Sequence, residues 1–592
     1  MLRIANCSGF YGDRLSAARE MVEGGPVDVL TGDYLAELTM LLLWKARQRD
    51  PDAGYALSFL AQMRDVLGTC LERGIKVVVN AGGLNPAGLA HSLRELASAA
   101  GLAPRVAHLE GDDLMPRLAE LRAAGEDLAH LGTGRPLAGA GVEPVTANAY
   151  LGAWGITTAL RAGADVVICG RVTDASLVVG PAAWAYDWAL DDWDRLAGAV
   201  AAGHVIECGA QATGGNFSFF TEIPDPVRPG FPIAELHEDG TSVITKHPGT
   251  GGAVTTETVT AQLLYEIEGP QYLGPDVVTR FDTVALTQEG PDRVRIAGAT
   301  GEPAPERLKV CVNYRGGYRN SATFALEGLE TRAKARFAEA SLLDAVGGRE
   351  RFADFDARLS PAGDRLTVTV KDADRDAVGR AFFAAVAGTG LSGYPGLHLE
   401  HASPRATEYG VHWPALVAAS AVRPEVVLDD GTRLAVPEPP REPFRRDGRV
   451  YGSVTAHDDP LVRVPLGTLA GARSGDKGGD ANLGVWARNE KTWRWLGWYL
   501  TVDRLRELLP ETAGLDVERH WLPNLRAVNF VVRGLLGDGV AASTLADPQA
   551  KALGERLRAV QVEVPAGLLG AGAKVKDHAL PTEGQSAGQD RA

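Results

Sequence analysis

Six short apolar runs, each stopping at a polar or glycine-bearing step, constrain this chain more than any other feature. Arg3–Cys7 stops at Ser8-Gly9, Val27–Leu30 at Thr31-Gly32-Asp33-Tyr34, and Lys76–Val79 at Asn80-Ala81-Gly82-Gly83. Arg105–Leu109 stops at Glu110-Gly111-Asp112-Asp113, Asp165–Cys169 at Gly170-Arg171-Val172-Thr173-Asp174, and His204–Glu207 at Cys208-Gly209-Ala210-Gln211. Longer helical patterns separate most of them. Continuous apolar strands between helices predict a parallel sheet, and so an α/β unit over residues 1–215, doubly wound or barrel-like. In both architectures ligands bind at the carboxyl ends of the strands. One such end is explained by helix capping and turn chemistry alone. Six together point to a pocket.

The pattern changes after residue 215. Residues 216–435 read as a mixed α+β unit. It contains a hairpin around Glu238-Asp239-Gly240, a helix at Thr255–Glu268 and several β-like runs. Pro and charge collect in residues 436–461, which read as a linker. A small α+β domain is expected over 462–565 and a mobile tail over 566–592.

Composition excludes several classes. Lys and Arg total 60 against 75 Asp and Glu, a formal charge of -15, so a general grip on nucleic acid or on an anionic membrane is not expected. The five cysteines are scattered and never spaced C-x-x-C, which argues against a disulfide scaffold or a zinc ribbon. No apolar run approaches the ~20 residues of a membrane span. The expected setting is the reducing cytoplasm.

The sharpest polar motif is Arg473-Ser474-Gly475-Asp476-Lys477-Gly478-Gly479-Asp480-Ala481-Asn482, read as a Gly-rich loop whose N–H groups, Arg473 and Lys477 would hold an anion, with Ser474, Asp476 and Asn482 beside them. A solvated hairpin is the plain alternative. Lys246-His247-Pro248-Gly249-Thr250-Gly251-Gly252 precedes a helix and would offer an anion its free N–H groups, with Lys246 and His247 adding charge; a tight turn is the alternative. Gln211 is suited to orienting a carbonyl, and Arg171 to gripping a carboxylate. Asp174 fits a general base or a helix cap. Cys208 is more often a buried core thiol than a nucleophile, and Cys7 likewise. His398, His401 and His412 lack helical metal spacing, so no metal site is expected. Gly9-Phe10-Tyr11-Gly12 falls short of a dinucleotide fingerprint.

Taken together, Thr31-Gly32-Asp33-Tyr34-Leu35-Ala36-Glu37, Asn80-Ala81-Gly82-Gly83, Gly170-Arg171-Val172-Thr173-Asp174-Ala175 and Lys246-His247-Pro248 resemble the acyclic terpene utilisation family of AtuA type. Arg473-Ser474-Gly475-Asp476-Lys477-Gly478 resembles that family's C-terminal ferredoxin-like module. The resemblance covers about residues 1–565. It implies a place in the breakdown of acyclic isoprenoids, whose chemistry runs on branched acyl-CoA thioesters. It carries no accepted catalytic residues.

The combined expectation is a catabolic enzyme acting on a branched acyl-CoA or carboxylic acid, of lyase or hydratase type, with no redox or other tightly bound cofactor. Asp33 or Asp174 would be the base, Asn80 and Gln211 would orient a carbonyl, and Arg171 or Lys246 would hold a carboxylate or phosphate. Two alternatives stand beside it: an accessory subunit that docks through its C-terminal module, and a CoA-transferase or thioesterase using a carboxylate or Cys208. A homo-oligomer is expected from the size of the chain.

Overall fold

The computed structural model describes residues 1–447 and 459–569. Residues 448–458 of the expected linker and 570–592 of the expected tail lie outside the described residues.

Five strands form the parallel heart of an open sheet. Leu2–Asn6 pairs with Val29–Gly32, that with Lys76–Val79, that with Val166–Ile168, and the last with Val106–Glu110, all in parallel. Successive residues face opposite layers, as the period of a strand requires. Ile4, Val29, Val78 and Val167 join the core formed with helices Trp154–Arg161, Ser176–Ala185 and Trp193–Ile206. Ala5, Leu30, Val77, Val79 and Ile168 join the core formed with helices Leu57–Arg73 and Pro86–Ala99. Both faces are therefore covered, which is why these runs are apolar throughout.

The sheet does not close into a barrel. It runs on antiparallel through Pro232–Leu236, Ser242–Lys246, Arg293–Ala297 and Ala285–Gly290 at one edge, and through Glu425–Val427 and Arg433–Ala435 at the other. One sheet thus crosses the boundary expected at residue 215. The sixth apolar run, His204–Glu207, is not a strand. It ends the helix Trp193–Ile206, which is buried from Leu196 to Ile206. A short apolar run carries no periodicity that separates a buried strand from the last turn of a buried helix.

A second sheet is organised by the 19-residue strand Arg307–Ala325, which pairs with Pro144–Ala149, Thr407–Ala418 and Arg365–Asp372. Within the expected linker, Arg441–Glu442 pairs with Ala304–Pro305. The C-terminal module is a four-stranded antiparallel sheet in the order Ala470–Lys477, Asp480–Ala487, Ala527–Val532, Val517–Leu522, backed by helices that include Glu490–Tyr499 and Leu553–Ala559. It packs on its own chain. Ser218 Oγ exchanges hydrogen bonds with the backbone of Ala472 at 2.8 and 3.0 Å, and Asn524 donates to the carbonyls of Phe281 and Val284. Among the described residues, no helix is long and apolar enough to cross a membrane.

Candidate functional site

Every parallel strand ends at the same edge of the sheet, so the polar steps that follow them meet there. The C-terminal module lies over that edge and closes a cavity of about 2000 Å³. Asp33, Arg171, Asp174 and Gln211 line it from the sheet side, and Asp476 and Lys477 from the module.

The loop after Val166–Ile168 builds the centre. A Cβ at Gly170 would lie 2.7 Å from Asp112 Oδ1, so only glycine lets the loop pass the Asp112 carboxylate that accepts Arg171 N–H at 2.9 Å. This bond aims Arg171 inward. Its guanidinium sits 4.2 Å above the Tyr150 ring and reaches Asp174 with Nη2 at 3.2 Å. Arg171 is 3% exposed, and its Nε and Nη1 are buried with no hydrogen-bond partner. Burying two charged donors without acceptors is costly. A carboxylate or carbonyl oxygen would remove that cost.

Asp33 stands at the end of Val29–Gly32. Its Oδ1 accepts Asn80 Nδ2 at 2.5 Å and Leu35 N–H at 3.0 Å. Burial and the facing charge of Asp174 push Asp33 well above the usual carboxylate range, despite Arg171 and Asn80. Burial also raises Asp174, against Arg171. Glu37 goes the other way. Burial alone would raise it, but Lys309, His412 and Arg171 together hold it well below its ordinary value. Glu37 accepts Tyr150 O–H at 2.8 Å and Lys309 Nζ at 3.2 Å. Asp33 is displaced further up than Asp174, which Arg171 faces, and unequal displacement of neighbouring carboxyl groups is how one site holds both an acid and a base. Across the cavity, burial and then Glu266 push Asp476 up to about 7.

The other residues singled out in the sequence take different places. Asn80 is fully buried and holds Asp33 and the Tyr34 N–H rather than lining the cavity. Arg473 and Ser474 lie on the strand Ala470–Lys477, not in a loop, because the hairpin turns on Gly478-Gly479 alone. Arg473 Nη2 binds Gln211 Oε1, and its guanidinium lies 4.3 Å over Tyr265. Ser474 Oγ donates to Ala550 O at 2.6 Å within the module, and Asn482 Oδ1 accepts Glu266 N–H at 2.8 Å, which ties the module to the segment after the helix Thr256–Leu263.

The Lys246 loop is elsewhere. Lys246 Nζ is engaged by Asp292 at 3.0 Å and by Thr250 O at 2.7 Å, and His247 Nε2 lies 2.9 Å from Met21 O. Lys246, Gly249 and Thr250 line a separate open hollow of about 560 Å³, and Gly251 bridges to Pro229. The helix there begins at Thr256, capped by Thr255, so the glycines do not form its N-terminus. Among the described residues no group of three or more His, Cys, Asp or Glu is placed to hold a metal ion. His412 is buried with Nδ1 3.6 Å from Cys311 Sγ. Burial, more than any neighbouring charge, keeps the Cys208 thiol protonated.

Tyr150, Lys309, Glu207, Tyr265 and Lys551 also line the cavity and were not found from the sequence. Glu37 is the first residue of the helix Glu37–Arg47, four residues after Asp33, and its place at the end of the Thr31–Glu37 motif was the available signal. Lys309 comes from a strand more than 270 residues away and has none. Exposed apolar side chains stand at the mouth: Phe10, Leu38, Leu42, Leu131 and Phe444 line the cavity and are exposed.

Two family models match the chain. The one described as acyclic terpene utilisation family protein AtuA covers residues 2–428, and the AtuA ferredoxin-like domain covers residues 464–563. Comparison with curated proteins and with solved structures returns no match.

Proposed function

Since this chain belongs to the acyclic terpene utilisation family AtuA, we propose that its cavity takes a branched, isoprenoid-type carboxylic acid or acyl-CoA and adds or removes water across a bond next to the carboxyl carbon. The observation that carries this reading is Arg171, buried with two unpartnered donors between Asp33 and Asp174. The exposed apolar side chains at the mouth fit a branched hydrocarbon tail, as apolar walls with few polar groups do in small-molecule sites generally.

In the dehydrating direction, Arg171 holds the carboxyl or thioester oxygen and stabilises the negative charge that builds there. The Asp174 carboxylate removes the proton from the adjacent carbon. The C–H electrons form the double bond, and the C–O bond to the departing hydroxyl breaks. Asp33 gives that hydroxyl its proton and water leaves. Hydration is the reverse. Oδ1 of Asp33 already accepts two N–H bonds, which assigns the proton to Oδ2. If the substrate is a CoA thioester, its phosphates meet Lys477 and Arg519 rather than the Lys246 loop. Both line the cavity, and Arg519 Nε is buried without a partner.

The thiol of Cys208 is a poor nucleophile in its protonated state, which disfavours the thioesterase reading. A cavity closed by the module, with acid and base inside, disfavours a purely docking role. The test is to incubate the full chain with a β-methyl-branched α,β-unsaturated acyl-CoA, and separately with its free acid, while following the absorbance of the conjugated carbonyl. Loss of conjugation in wild type, abolished in Asp33→Asn, supports the reading. Binding without turnover would leave a carrier, and neither binding nor turnover would favour an accessory subunit.

A further inference from the structure

Glu207 has no part in the chemistry above, yet it lines the same cavity. It follows the helix Trp193–Ile206, and Asn6 Nδ2 fixes this point of the backbone by donating to the carbonyls of Ile206 at 2.7 Å and Glu207 at 3.0 Å. Glu207 is 8% exposed. Its Oε1 lies 3.2 Å from His204 Nδ1 but not aligned as a hydrogen bond, and its Oε2 is buried with no hydrogen-bond partner. His204 is itself buried, packed 4.9 Å from the Tyr272 ring and 5.3 Å from Phe281, an apolar setting that keeps it uncharged. The charged groups facing Glu207 are Asp174 and Glu266 of one sign and Lys477 and Arg171 of the other; none forms an ion pair with it. Burial and the two carboxylates outweigh the cations and favour the protonated acid.

We propose that Glu207 is a hydrogen-bonding post that takes a second oxygen of the ligand, an alcohol or ketone oxygen set apart from the carboxyl group held at Arg171. The ligand class is then a branched acid with one further uncharged oxygen function. This rests on the reading of Arg171 as the carboxyl anchor. A neutral acid both donates and accepts, so it serves either oxygen type. A buried post left without its partner also discriminates against ligands that lack the oxygen.

The test is calorimetric titration of the full chain with 5-hydroxy-3-methylpentanoate and with 3-methylpentanoate, which differ by a terminal hydroxyl alone and carry none at the carbon that Asp33 serves. Wild type is expected to bind the hydroxy acid roughly tenfold more tightly, the effect of one well-placed hydrogen bond. Glu207→Gln keeps that preference, Glu207→Met loses it without weakening 3-methylpentanoate, and Arg171→Lys weakens both acids. Equal binding of the two acids to wild type overturns the proposal and leaves the Arg171 anchor standing. Binding of neither acid removes the anchor, and the proposal with it. A second measurement needs no ligand and covers the case in which Glu207→Met does not fold. The infrared band of a protonated carboxylic acid at neutral pH should lose intensity in Glu207→Gln. A spectrum unchanged by that substitution shows an ionised Glu207 and overturns the proposal.

Discussion

Asn80 Nδ2 meets Oδ1 of Asp33 at 2.5 Å, joining the ends of two parallel strands that are 47 residues apart in sequence. Asn80 is fully buried, and its own carbonyl oxygen is taken by Tyr34 N–H at 2.7 Å. It is a positioning residue: it fixes which oxygen of Asp33 is free without touching the cavity. Asn80→Ala should therefore lower turnover and also destabilise the fold by about 1–3 kcal/mol, since it strands a buried N–H. Urea denaturation measures the second effect, and a variant as stable as wild type contradicts it.

Turnover in the dehydrating direction, where Asp33 is the proton donor, should be lost on the alkaline side. Asp33 donates only while protonated, and its pKa lies well above the ordinary carboxylate range because of burial and Asp174. The rate then falls as pH rises through that raised value. In Asp33→Asn no such limb remains to be titrated. A wild-type rate that rises steadily into alkaline pH would rule out Asp33 as the acid.

Arg171→Lys should keep the fold and lose the ligand. Lysine retains the charge beside Asp174 but not the planar fork whose Nε and Nη1 await an acceptor. Carboxylate binding is expected to weaken at least tenfold, read by calorimetry, with the thermal midpoint little changed.

Acid stability should depend on Asp165. Burial alone would raise its pKa, but Arg105 and Lys76, at 3.0 and 2.9 Å, hold it below the ordinary range. A depressed folded-state pKa stabilises the protein fully above the unfolded value of about 3.9 and loses that contribution as pH falls towards the folded value. Asp165→Asn should thus be less stable than wild type at neutral pH, and the gap should close as the solution is acidified below about pH 4. Thermal melts across that window give the answer.

Docking of the module should be sensitive to Gly484. A Cβ there would come within 2.5 Å of Leu264 Cβ, backbone strand against helix end, with little room to yield. Gly484→Val should separate the thermal unfolding of the module from that of the large sheet. It should also open the cavity, because Asp476 and Lys477 would move with the module. A single unchanged transition would show that the contact matters less than its closeness implies.

The parallel strands were legible because each is a buried apolar run ending in a polar step, a local pattern that needs no knowledge of the rest of the chain. Asp33, Arg171 and Asp174 were legible for the same reason, since strand ends in one parallel sheet share an edge. So was membership of the family, carried by short motifs. Three-dimensional packing alone decided the rest. Lys309 reaches Glu37 from a strand in another sheet, and Glu207 looked like the end of a strand until the helix before it was seen to be buried on every side. Lys246 and Arg473 each carried an anion motif, yet Asp292 engages the one and Gln211 the other. Contacts between distant segments leave no local signature, and the charge state of a buried group depends on every neighbour that packing brings to it. The residue types came from the sequence; which of them are paired, protonated or left open to a ligand came from the fold.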